Sequence, residues 1–200
     1  MKPALLALLA IGASSFLSGC APENSLFPLY TGEESMFNER LVGAWRMQKS
    51  PDQKSSDDSY WIFSQGKEKN TYLLRGVDAK KSSGDLTLTA HLLRLGAYTF
   101  IDFATPEDSE ELNVHISMLP YIPSHVFGRM RIEKTYVRVD LLDDEWVKKQ
   151  IQAGKLNLAH VEGPSETVLT APTDELRKFA LEHAEDEKAF AFTEYFVKEQ

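Results

Sequence analysis

Cysteine is nearly absent: Cys20 is the only one among 200 residues. No intramolecular disulfide is available, so the fold must stand on its core. No apolar run reaches the about 17–25 residues a membrane-spanning helix needs; the longest, near the start, is interrupted by Gly12, Ser14 and Ser15. Basic charge is also short, with 22 Lys and Arg against 30 Asp and Glu and a net charge of −8. An acidic surface without a basic stretch interleaved with aromatics repels phosphate, which excludes a nucleic-acid partner. Catalytic signatures are missing too. There is no Gly-x-Ser-x-Gly elbow and no Gly-rich phosphate loop. The five histidines, His91, His115, His125, His160 and His183, include no i, i+4 pair of the zinc-enzyme kind. The carboxylate-rich loop 105–111 lacks the alternating oxygen spacing of a calcium loop. No catalytic residue, metal site or cofactor is therefore expected, and the chain reads as a non-enzyme.

What is present begins at the N-terminus. One cation, Lys2, precedes an apolar run to Leu17, and small residues then lead to a break, the marks of a secretory signal. The break, Leu17-Ser18-Gly19-Cys20, resembles the lipobox of bacterial lipoproteins. That resemblance implies a signal peptide over 1–19, cleavage between Gly19 and Cys20, and a diacylglyceryl thioether on Cys20 with an acylated amine, palmitate included. Each buried methylene is worth about 0.8 kcal/mol, and two or more chains anchor stably. The membrane is thus the first expected partner, through lipid on Cys20. Ala21, rather than Asp, follows the cysteine. By resemblance this favours the outer membrane, facing the periplasm, in a Gram-negative envelope, and the outer face of the only membrane in a Gram-positive one.

Residues 20–37 read as the lipidated cysteine and a spacer. Leu26, Phe27, Leu29, Tyr30, Met36 and Phe37 make its second half apolar enough to pack. The remainder, 38–200, reads as one β-rich domain, long enough for a single sizeable core. Strands are predicted over 41–47, 60–63, 71–77, 86–94, 98–103, 125–132 and 136–142, where β-branched and aromatic residues alternate between turn-forming segments. Shorter ones are predicted over 158–161 and 167–169. The stretch 112–123 shows no clear pattern.

Two short helices are predicted in the C-terminal third. One spans 145–153, capped by Asp143 or Asp144 and stopped at Gly154. The other starts near Thr173, with Leu176, Phe179, Ala180 and His183 on one stripe, suited to covering an open end or edge of the sheet. The tail, with Phe190, Phe192, Tyr195 and Phe196, is apolar enough to dock but shows no assignable form. The fold class is mainly β: an antiparallel barrel, or a sandwich, with two helices.

Gly43-Ala44-Trp45 resembles the Gly-x-Trp that opens the first strand of lipocalins. In that family the Trp closes one end of the barrel and a late Arg stacks on it. The Thr-Asp-Tyr motif and the disulfide pair of lipocalins are absent here. The stretches 41–45, 91–102, 122–127 and 169–179 resemble a group of lipocalin-like bacterial lipoproteins, a resemblance that brings no activity with it. A lipocalin-like barrel implies an apolar small molecule held inside, with Trp45, His91 and His125 as the ligand-facing candidates. Two other readings stay open: a scaffold docking an envelope protein, and, more remotely, a hydrolase using His91, His125 and Asp102. Each candidate also has a plain structural reading, Trp45 as a core aromatic and the histidines as hydrogen-bonded core residues.

Overall fold

The computed structural model describes residues 22–32, 34–53, 59–78, 86–106, 124–163 and 167–199. The predicted signal 1–19, Gly19 and Cys20, most of the acidic loop, the unassigned stretch 112–123 and His115 lie outside the described residues. The strands are β1 (Asn24–Ser25), β2 (Gly43–Gln48), β3 (Ser59–Gln65), β4 (Thr71–Asp78), β5 (Leu86–Leu95) and β6 (Tyr98–Ala104). They continue as β7 (His125–Ile132), β8 (Tyr136–Leu141), β9 (His160–Glu162), β10 (Thr167–Leu169) and β11 (Phe192–Lys198). The helices are α1 (Asp144–Gln152) and α2 (Thr173–Glu182).

Strands β2 to β8 form an antiparallel meander, and β11 inserts between β8 and β2. The result is a closed, eight-stranded antiparallel barrel, not a sandwich. Closure pairs each of these eight strands on both sides and leaves the barrel no free edge. The closing strand is the tail to which the sequence assigned no form. The pairing is steeply staggered. Met47, next to the end of β2, pairs with Phe196, which pairs with Val137, which pairs with Ile132 at the opposite end of β7. Such stagger tilts the strands and widens the barrel.

The two ends differ. Tight connections join the strands at the turn end, at 66–70, 96–97 and 133–135, and a 3-10 turn at Glu39–Leu41 leads into β2 there. Gly96 supplies the left-handed residue of the two-residue turn, with φ +56°. Long connections join the strands at the loop end, including 142–191 with both helices. On β7, Gly128 is required by close approach: a Cβ there would lie 2.3 Å from the Asp140 carbonyl oxygen.

Side-chain alternation sorts the apolar residues into two cores. Trp45, Phe63, Tyr72, Leu74, Leu92, Ile101 and Phe196 belong to the lumen. Leu93, Phe100 and Phe127 face outward and are covered by Leu29, Val147, Leu176, Phe179 and Phe190. α2 therefore packs on the outer wall and covers neither an end nor an edge, because a closed barrel offers no edge. α1 is capped as expected, the Asp143 carboxylate accepting the Trp146 N–H at 2.7 Å, and Gly154 follows at φ +65°.

The described residues of 22–37 join the fold from their first position. Pro22 bridges to Asp143, the Glu23 N–H donates to Leu142 at 2.8 Å, and β1 pairs with β7 and β10. The segment then runs as a strap along the outer wall to the turn end, where the Met36 N–H donates to Leu92. The segment read as a spacer is thus docked from Pro22 onward, not in its second half alone.

Candidate functional site

Two places gather the candidate residues, the barrel lumen and a polar cluster on its outer wall. At the turn end of the lumen, Trp45 is buried and its Nε1–H donates to the Leu41 carbonyl at 2.7 Å. Lys198, its register partner on β11, holds its ammonium 5.2 Å from the Trp45 ring centre and donates to the Arg40 carbonyl. The lipocalin resemblance implied a late Arg over this Trp; here a Lys takes the place. Trp61 stacks on Phe196 at 4.2 Å and meets Phe103 edge-on, while Phe37 stacks on Tyr72 at 4.8 Å. These rings fill the middle and the turn end.

Burial falls off at both ends: Met36, Phe37 and Ile132 at the turn end are half-buried, and so is a larger group toward the loop end. Met47, Trp61, Leu88, Val126 and Phe192 belong to the lumen yet are only half-buried, and Leu86 is 55 % exposed. Glu194 points inward between Phe192 and Phe196, opposite Val139 on β8. Burial pushes its carboxyl above the ordinary carboxylate range.

His91 and His125 lie on the other side of the wall. They share the outward parity of Leu93 and Phe127, so the structure separates them from Trp45 and brings them to Asp102. His91, Asp102 and Phe127 are direct register partners. His125 Nδ1 is 2.8 Å from the fully buried Asp102 carboxylate, whose second oxygen accepts the Leu29 N–H at 2.6 Å. His91 Nδ1 lies 3.0 Å from the Ser35 hydroxyl, and Tyr30 stacks flat on the imidazole at 3.5 Å. Burial, and secondarily His125, pulls the His91 pKa down to about 4, so the ring is neutral. Burial raises the Asp102 carboxyl, against the opposing hydrogen bond of His125.

The three residues of the hydrolase reading therefore do converge, but they are buried or nearly so among the described residues, with the Tyr30 ring against both imidazoles. A serine–histidine–carboxylate relay needs the carboxylate on the histidine that faces the hydroxyl. Among the described residues, Asp102 bonds His125 and Leu29, not His91. What the arrangement does chemically is fasten the strap. It ties Leu29, Tyr30 and Ser35 to the wall, helped by Asn70 donating to the Ser35 carbonyl and Thr173 to the Pro28 carbonyl.

The remaining described histidines stand apart. His160 Nδ1 is 2.8 Å from the Leu158 carbonyl, and His183 packs on Trp146 and Phe179. Among the described residues no group of three or more ligand-type side chains could hold a metal ion. No described helix is long and apolar enough to cross a membrane. Glu194 and Lys198 escaped the sequence reading because the tail had not been assigned as a strand. Alternation over 192–198 puts both on the face of Phe192 and Phe196, and only the pairing of β11 with β2 and β8 makes that face the inner one.

No family model matches the chain, and comparison with curated proteins and with solved structures gives no significant match.

Proposed function

We propose that the chain is a lipid-anchored, non-catalytic module of the cell envelope that takes a small apolar ligand in the loop-end half of its barrel. The observation that carries this reading is the half-burial of Met47, Trp61, Leu88, Val126 and Phe192. Apolar side chains that face inward yet keep water contact are the lining of a ligand site rather than of a sealed core. In this reading Trp45 with Lys198 forms the floor, and the His91–Asp102–His125 cluster holds the strap instead of touching ligand.

The anchor and the loop end belong together. Pro22 and β1 join the fold beside Leu142 and His125, at the loop end. Consecutive Cα atoms are about 3.8 Å apart, so the two peptide links from Pro22 back to Cys20 span at most about 8 Å. Acyl chains on Cys20, exposed by cleavage after Gly19, would hold the loop end toward the membrane. An apolar ligand could then pass between bilayer and barrel without crossing water. By the residue after the cysteine, that membrane is the outer one, seen from the periplasm.

The test is organic extraction and mass spectrometry of the full chain and of a Leu88→Arg variant. A molecule recovered with the first and depleted from the second supports carriage; identical extracts sink it. The scaffold reading keeps one observation of its own. β9 lies at the edge of the strand order, with Val161 60 % exposed, and an extended segment of a partner could add to such an edge. Crosslinking in native envelopes that recovers no reproducible partner would count against it.

A further inference from the structure

Glu194 is the carboxylate that the lumen leaves without an answer. It sits on β11 between Phe192 and Phe196, and its register partner is Val139. On the other side, pairing of β11 with β2 starts one residue later, at Tyr195 with Gln48. No hydrogen bond or ion pair engages the Glu194 side chain among the described residues, and burial is the only influence on its carboxyl. A half-buried carboxylate facing apolar side chains is costly unless something pairs with it. Nor does the fold need it there: at this inward position an apolar residue would continue the row of Phe192 and Phe196.

Beside it stands an aromatic wall. Phe196, next on the same face of β11, stacks on Trp61 at 4.2 Å, and Trp61 is itself only half-buried. A carboxylate next to aromatic faces is the chemistry that receives an ammonium group, by charge-assisted hydrogen bonds and cation–π attraction. A fatty acid is the opposite case, since its own carboxylate would be repelled.

We propose that Glu194 selects the ligand, and that the barrel takes amphipathic amines, the ammonium on Glu194 against the Trp61–Phe196 pair and the apolar body toward Met47, Leu88 and Phe192. This rests on the carriage reading above and narrows its ligand class. The experiment uses the full chain in phosphatidylcholine vesicles with two photoreactive probes, a diazirine-bearing dodecylamine and the matching dodecanol. Peptides carrying Met47 and Trp61 are scored for labelling by mass spectrometry. Glu194→Gln should cut amine labelling about tenfold, as expected for loss of one charge-assisted contact, and leave alcohol labelling unchanged. Unchanged amine labelling, or parallel loss of both, overturns the role of Glu194 while carriage stands. Absence of lumen labelling by either probe in the unaltered protein overturns carriage, and this proposal with it.

Discussion

Glu23 and His91 are buried ionisable groups that lean in opposite directions, and pH separates them. Glu23 is buried, and burial, then the Asp144 carboxylate beside it, pushes its pKa up to about 9 against the weaker pull of Lys148 and the Asn24 N–H. The unfolded chain releases this proton near pH 4.5 and the folded chain holds it to about 9. Stability from this group is whole below pH 4.5 and is lost as pH rises through that window. Glu23→Gln should therefore stabilise the protein by about 3 kcal/mol at pH 7, with the gain vanishing toward pH 4.5 in urea unfolding. His91 behaves conversely, its pKa depressed from 6.5 to about 4. Its contribution is complete above pH 6.5 and is lost as pH falls to 4, about 3 kcal/mol in all. Replacing it with Asn should flatten that acid limb in the same unfolding series.

Among the elements, the strap and β11 are the parts most exposed to a single change. The strap is a chain of unlike ties, backbone pairs at Glu23 and Met36, a carboxylate at Leu29, a ring stack at Tyr30. Asp102→Ala would strand the buried Leu29 N–H and the His125 ring together, a loss of about 2–4 kcal/mol. Hydrogen exchange at Leu29 should accelerate far more than at Phe63 in the lumen; equal change at both would mean the strap is not locally held. Helix α1 offers a milder case. Without the Asp143 cap on the Trp146 N–H, Asp143→Ala should cost about 1 kcal/mol in thermal unfolding. Gly128→Ala strikes β7 itself, since its methyl would meet the β8 backbone. One strand must move away there, and a clear fall in denaturation midpoint is expected.

At the scale of the whole molecule the question is which way the barrel faces. The strap begins at the loop end and finishes at the turn end, so the proposed anchor at Cys20 would set the polarity of the domain on a membrane. A fluorophore at Ser59, beside the loop end, should be quenched by spin-labelled phospholipid more strongly than one at Lys134, in the 133–135 turn. Equal quenching at both positions would refute that orientation. Two layers around one wall also explain how a protein without disulfides stands. The lumen cluster and the outer cluster share strands β5 to β7, so each side of the wall buries apolar surface.

The sequence by itself determined the local pieces. Strands at 125–132 and 167–169, a cap at Asp143 or Asp144, the Gly154 stop and the start of α2 near Thr173 follow from neighbouring residues, through periods of 2 and 3.6 and through caps. It could not determine which face of a strand is the inside. Ala90, His91, Leu92 and Leu93 are all buried in succession on β5, because the lumen covers one face and the strap and helices the other. With both faces buried, polarity no longer marks the interior. Tertiary structure alone turned His91 and His125 outward onto Asp102, turned Glu194 inward, and made the tail the closing strand. The reason is common to all three: closure pairs β11 with β2 across most of the chain, and contacts of that separation leave no local pattern to read.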